Sequence, residues 1–209
     1  MSTELHNHFF VIEEKIDILF VDDDPILREF AQVHLSTEMA SVETAEDGLA
    51  AVEKVKSRHP DLILLDLEMP NMDGFQFLRH LSDAGVLALA PVIVATGRED
   101  VQAIDRAYQA GATSFVVKPL NWRQLSYQIR YVHRTFLNER NLRDERDRAQ
   151  DEARRLQRQL VDYGRRSLDF VSAALQRHPD LRPRAAAYID DLTECVADPA
   201  TPSQPRIVA

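Results

Sequence analysis

The sequence is short of several things, and each shortage narrows what the chain can be. It has one cysteine in 209 residues, Cys195, so no intrachain disulfide framework holds it together. That residue reads as an inert small side chain, with an intermolecular disulfide as the alternative. No apolar run approaches the ~20 residues that a membrane-crossing helix needs. Met1 to His8 is polar and lacks the basic-then-apolar order of a secretory signal. A cytoplasmic protein without a membrane partner is therefore expected. Basic excess is missing as well: 25 Lys and Arg against 34 Asp and Glu leave a net charge of −9. A nucleic-acid arm needs a net basic face, so no nucleic-acid partner is expected. The deficit is local. Residues 139–209 carry 13 arginines and 13 acids, whereas residues 1–138 hold 21 acids and 12 bases.

What the chain does have is a set of polar groups placed at the ends of apolar runs. Ile18-Leu19-Phe20-Val21 runs into Asp22-Asp23-Asp24, and Leu62-Ile63-Leu64-Leu65 into Asp66. Val92-Ile93-Val94-Ala95 runs into Thr96, and Phe115-Val116-Val117 into Lys118-Pro119. Each run has the length of a buried strand. In a parallel α/β sheet the C-terminal strand ends share one edge, where ligands bind. Asp22, Asp23, Asp66, Thr96 and Lys118 should converge there from four segments. Carboxylates beside a hydroxyl and an ammonium suit a divalent cation and a phosphoryl group.

Between the runs lie helical patterns. Asp24 caps a helix with Pro25 in its first turn, ending near Leu35. A second strand is expected near Ser41–Thr44, then a helix from Gly48 to Arg58. Another helix follows Gly74, with Asp73 as its cap and Gly74 permitting a tight turn. A fourth, Asp100 to Ala110, is stopped by Gly111. Strands alternating with helices at this spacing predict a doubly wound parallel sheet of five strands, covered on both faces.

Together Asp22, Asp23, the stretch Leu65-Asp66-Leu67-Glu68-Met69-Pro70-Asn71-Met72-Asp73-Gly74, Thr96, Phe115 and Lys118-Pro119 resemble the receiver domain of bacterial two-component response regulators, chemotaxis-regulator-like. The resemblance covers roughly Ile16 to Leu137. Taken singly the residues have plain readings: a helix cap for Asp22–Asp24, a turn residue for Asp66, a strand end for Thr96, a surface cation for Lys118. Their joint order and spacing favour the site. The resemblance implies a flavodoxin-like strand order, 2-1-3-4-5. It implies Asp66 as phosphoacceptor, with Asp23 and Asp66 as direct ligands of Mg²⁺ or Mn²⁺. Asp22 would act through bound water, and the backbone carbonyl of Glu68 would be a further ligand. Lys118 would pair with Asp66 and then with phosphoryl oxygens, and the Lys118–Pro119 bond would be cis. Thr96 and Phe115 would be the switch pair, the hydroxyl reaching inward and the ring rotating into the vacated space. Glu68 and Arg98 would flank the path of the hydrolytic water and tune phosphoryl lifetime.

After Leu120 neither proline nor glycine interrupts the chain until Gly164. Asn121 caps a helix from Trp122, with Leu125, Ile129, Val132 and Phe136 as its apolar stripe. A helix from Trp122 to Tyr163 would span ~60 Å at 1.5 Å per residue. Leu142, Ala149, Ala153, Leu156, Leu160, Tyr163 and Phe170 lie on one heptad seam, with Arg146 and Ser167 at its weaker positions. Glu139–Arg143, Asp144–Arg148 and Asp151–Arg155 are spaced for ion pairs. A parallel dimeric coiled coil is expected, against the alternative of a solvated helix folding back on its own domain. Ser167–Gln176 and Pro183–Val196 read as two further helices. Receivers ahead of diguanylate cyclase or kinase modules look similar around Lys118–Tyr131, but no Gly-Gly-Glu follows here.

The expected organisation is an N-terminal segment 1–15, a receiver 16–137, a helical extension 138–197 and a disordered tail 198–209. The expected function is a phosphorylation-switched, non-enzymatic response regulator. It would accept phosphate from a sensor histidine kinase and signal to a downstream protein through a homodimeric extension. The alternative is an adaptor or phosphate sink whose extension docks on a kinase, phosphatase or other protein.

Overall fold

The computed structural model describes residues 15–97 and 101–197. Its strands are β1 Ile16–Val21, β2 Ala40–Ala45, β3 Leu62–Asp66, β4 Val92–Thr96 and β5 Ser114–Val117. The helices are α1 Pro25–Leu35, α2 Gly48–Ser57, α3 Gly74–Asp83, α4 Val101–Gln109, α5 Trp122–Arg177 and α6 Arg182–Ala197. Short 3-10 turns at Val86–Ala88 and Pro179–Leu181 complete the order. By compactness the chain divides into two units, Met1–Arg140 and Asn141–Ala209.

In the first unit all five strands are parallel, in the order β2-β1-β3-β4-β5. This is the doubly wound, flavodoxin-like arrangement. Side chains alternate across a strand, so each run feeds two cores. Leu19, Val21, Ile63 and Leu65 pack on one face with Phe77, Leu78 and Leu81 of α3. Ile18, Phe20, Leu62 and Leu64 pack on the other with Leu125, Ile129 and Val132 of α5. Every position of β3 and β4 is buried, which is why those runs read as continuously apolar. Burying one such side chain is worth ~1.5–3 kcal/mol.

The local signals act where they stand. Asp24 Oδ1 accepts from the Ile26 N–H at 2.8 Å and caps α1, with Pro25 next. Asp73 and Gln76 form a reciprocal capping box on α3. Asn121 Oδ1 accepts from Gln124 N at 3.1 Å and opens α5. Gly111, at φ 102°, follows α4 in the left-handed region. Gly74 needs a different explanation from the expected turn. A Cβ there would collide with the Asp66 carbonyl and lie 2.8 Å from Leu67 Cα. Glycine is required because α3 starts against the backbone of the phosphoacceptor candidate.

In the second unit, Gly164 does not end a helix. α5 runs unbroken for 56 residues to Arg177, so Ser167–Gln176 belongs to it and is no separate element. A glycine in a helix interior costs ~1 kcal/mol, and here close packing offsets it. A Cβ on Gly164 would lie 2.7 Å from Val196 Cγ2 of α6. Val161, Gly164, Leu168, Val171 and Leu175 form the half-buried to buried stripe of α5 in this region, and Ala185, Ile189, Leu192 and Val196 that of α6. The heptad seam is different. Leu142, Leu156, Leu160, Tyr163 and Phe170 are 54–76% exposed in the single chain. Asp151 pairs with Arg154 at 3.6 Å instead of Arg155, since positions three and four apart are both within reach. No described helix is long and apolar enough to cross a membrane.

Candidate functional site

Strand register delivers the polar groups to one edge. Val21 of β1 lies opposite Leu65 of β3, Asp66 opposite Ala95 of β4, and Thr96 opposite Val117 of β5. Asp22 and Lys118 are the next residues along their chains. Asp22, Asp66 and Thr96 are buried, at 0%, 6% and 2% exposure, while Asp23 is exposed. One carboxylate oxygen from each of Asp22, Asp23 and Asp66 lies within 4.8 Å of the others.

Buried carboxylates are costly unless compensated, and Lys118 supplies the compensation. Its Nζ is 2.7 Å from Asp22 Oδ2 and 3.1 Å from Asp66 Oδ2. The pairing with Asp66 that the resemblance implies is present, and Asp22 is the closer of the two. The lysine is held from behind, because its backbone N–H donates to the Thr96 carbonyl at 2.8 Å. Its bond to Pro119 is cis, as the resemblance implied. Asp22 Oδ1 accepts from Asp24 N at 3.0 Å, and Asp66 Oδ1 from Leu67 N at 2.9 Å. Asp22 Oδ2 is buried with no well-directed hydrogen bond. The ammonium of Lys118, 2.7 Å away, is its ion-pair partner.

Burial is the largest influence on Asp66 and pushes its carboxyl above the usual range. Attraction to Lys118 works against that rise, and the nearby Asp22 adds to it. Burial pulls the Lys118 ammonium down, but its close contact with Asp22 and the charges of Asp66 and Asp22 outweigh it. Lys118 therefore stays charged between two carboxylates that compete for it, and one ammonium does not neutralise three acids. A second cation would relieve the excess. An all-oxygen donor set carrying more negative charge than Lys118 balances fits a hard divalent ion, Mg²⁺ or Mn²⁺.

Two neighbours were not anticipated. Arg28 of α1 donates from Nη1 to the carbonyls of Asp22 and Asp23, at 2.7 and 2.8 Å, and fixes the acidic turn. Tyr108 of α4 meets the half-buried ring of Phe115 edge-on, with centroids 6.2 Å apart at 89°. Neither partnership has a signal in sequence spacing. Glu68 is exposed on the loop after Asp66. Arg98 lies outside the described residues.

A second polar cluster sits at the other end of β1. Ser41 and Arg58 both bond Asp17, and Lys54 pairs with Glu43 at 3.6 Å. These groups pair with one another.

The family model of the response regulator receiver domain matches residues 18–130. The chain is similar to the transcriptional regulatory protein CseB of Streptomyces avermitilis, 34% identical over 123 residues, or 59% of this chain and 51% of that protein. It is also similar to the heme response regulator HssR of Staphylococcus aureus, 32% identical over 121 residues, or 58% of this chain and 53% of that one. These matches span about half the length of either relative. Among solved structures, the chemotaxis protein CheY4 of Vibrio cholerae superposes with a TM-score of 0.54 at 29% identity, covering 56% of this chain and 98% of that one. The response regulator domain of Thermotoga maritima CheB gives 0.52 at 30% identity, covering 60% and 98%.

Proposed function

This chain belongs to the response regulator receiver family, and from that premise we propose that it is switched by phosphorylation of Asp66 and signals through its helical extension. The observation that carries the reading is the meeting of Asp22, Asp23 and Asp66 oxygens within 4.8 Å, with Lys118 Nζ between Asp22 and Asp66.

A sensor histidine kinase is the donor. The Asp66 carboxylate forms a new oxygen–phosphorus bond while the phosphorus–nitrogen bond of the phosphohistidine breaks, and the leaving imidazole keeps that electron pair. Asp22, Asp23 and Asp66, with the Glu68 carbonyl, would hold Mg²⁺, which would supply charge neutralisation at the phosphoryl oxygens. Lys118 supplies the second positive charge and, being anchored through Thr96, moves little to do so. The Thr96 hydroxyl then bonds a phosphoryl oxygen. Phe115 turns inward and leaves Tyr108, which changes the surface of α4 and β5. Glu68 and Arg98 set the access of water and thus the lifetime. The protein's own phosphorylation and dephosphorylation are the only reactions it catalyses, and it acts in the cytoplasm.

The extension joins two chains as parallel helices through the Leu142–Phe170 seam, and a downstream protein reads the result. The second reading keeps the same chemistry in a monomeric adaptor or phosphate sink. It is favoured by the packing of α6 on α5 at Gly164, which gives a single chain a helical hairpin for docking on a kinase or phosphatase.

Incubation with Mg²⁺ and a small acyl-phosphate donor, followed by intact-mass spectrometry, tests the site. One phosphate should be added to the wild type and none to Asp66→Asn. Equal labelling of the variant would remove Asp66 from its role.

A further inference from the structure

The loop of residues 67–73 follows Asp66 and carries Glu68. At its far end, Gly74 N–H donates back to the Leu67 carbonyl at 3.1 Å. Its outer side is gripped by α2. Asp47 caps that helix, with Oδ1 accepting from Ala50 N at 2.8 Å. Its other oxygen accepts from Asn71 Nδ2 at 2.6 Å, across 24 residues of sequence. Beside them Gly48 N–H donates to the Met72 carbonyl at 3.1 Å, and a Cβ on Gly48 would lie 2.8 Å from that same oxygen.

Capping needs one carboxylate oxygen, so the second is free for the loop. Asp47 is 6% exposed, and both oxygens are occupied. Its hydrogen bonds, from Ala50 first and then Asn71, hold the carboxyl below its usual range, so it is an ionised double acceptor. Asn71 has φ 60°, in the left-handed region that few residues other than glycine adopt. Asparagine is among the few side chains that tolerate that region, and here its amide is also held by a directed hydrogen bond.

We propose that Asp47 and Asn71 are positioning residues for phosphoryl transfer: their hydrogen bond ties the start of α2 to the loop after Asp66 and aligns that loop's backbone at the site where Asp22, Asp23 and Asp66 would hold a cation. The inference rests on reading Asp66 as the phosphoacceptor. Neither side chain touches the reacting atoms; they act through the path of residues 67–73. Partners of metal ligands at one remove alter metal affinity or activity by ~10–100-fold when removed.

The donor–acceptor sense of the pair permits a swap. Asn71→Asp sets two carboxylates against each other and breaks the tie. Asp47→Asn keeps the cap through its amide oxygen, and Asn71 can turn its own oxygen to the new N–H. The double variant Asp47→Asn/Asn71→Asp rebuilds the bond with donor and acceptor exchanged. Asn71→Gly keeps the left-handed backbone without charge and removes only the tie.

The full chain and these variants are titrated with Mg²⁺ by calorimetry. Phosphorylation by the acyl-phosphate donor is followed as kcat and KM, and a thermal melt reports folding. Asn71→Asp should weaken Mg²⁺ binding and lower kcat/KM by about tenfold or more, with Asn71→Gly shifted in the same direction. Asp47→Asn should stay near wild type, and the double variant should recover most of the Asn71→Asp loss. A merely structural pair would move the melting temperature and leave the Mg²⁺ affinity of folded protein unchanged. Wild-type affinity in Asn71→Asp and Asn71→Gly, or a double variant as impaired as Asn71→Asp, would overturn the inference. A wild type that takes no phosphate would overturn the reading of Asp66 instead, while the Mg²⁺ titration still decides the role of Asp47 and Asn71.

Discussion

The receiver and the extension use the same apolar residue types in opposite ways. In the receiver, Phe20, Leu64, Phe77 and Ile93 are all at 0% exposure, each covered by the chain's own helices. In the extension, Leu142, Leu160 and Phe170 stand 63–76% exposed on α5. The receiver sets its strand-end polar groups on a sealed core. The extension carries an apolar seam that its own chain does not cover, and apolar surface in water is the driving force for association.

The widest gap between the regions should appear on deleting the same side chain from each. Leu64→Ala, in the sealed core, should cost ~2–5 kcal/mol in denaturant unfolding. Leu156→Ala, from a residue 54% exposed, should change single-chain stability by no more than ~0.5 kcal/mol and act on the monomer–dimer equilibrium instead. Similar costs at both positions would break the comparison.

A smaller effect sharpens the receiver side. Burial raises the Asp66 carboxyl despite Lys118. A group whose folded-state pKa lies above its unfolded value stabilises the fold while protonated, and that contribution is lost as pH rises through the folded value. Without divalent ions, Asp66→Asn should therefore be more stable than wild type at pH 7. The advantage should shrink as pH falls toward the ordinary carboxylate value of 3.8. Thermal melts at several pH values read this directly, and a variant less stable at pH 7 than at low pH, relative to wild type, would contradict it.

Smaller still is Gly164→Ala in the extension. Helix propensity favours alanine by ~1 kcal/mol, while the new methyl meets Val196 Cγ2 at 2.7 Å. The two should nearly cancel in a thermal melt, leaving a change below ~1 kcal/mol.

Much of the receiver was legible because its signals are local. Four of the five strands carry an apolar run, and Asp22, Asp66, Thr96 and Lys118 each follow one, so a parallel sheet necessarily gathers them. The Asp24, Asp73 and Asn121 caps act on their own helices and were equally readable. Arg28, Tyr108 and the Asp47–Asn71 bond were not, because each depends on where α1, α4 or α2 comes to rest. Gly74 was singled out for a turn, yet its need comes from the Asp66 carbonyl. Gly164 was read as an interruption because helix propensity is local, while its packing on Val196 joins residues 32 positions apart in sequence. In the extension the heptad seam showed which face is apolar, and periodicity says nothing of what covers it.

Sedimentation analysis of the full 23.9 kDa chain, beside the variant Leu156→Asp/Leu160→Asp, tests the central claim that a second copy completes the extension. Unpaired charges in a buried seam are costly. The account predicts the mass of two chains for wild type and of one for the variant, with Asp66 phosphorylated in both. A monomeric wild type, or a variant that keeps the mass of two chains, would contradict it.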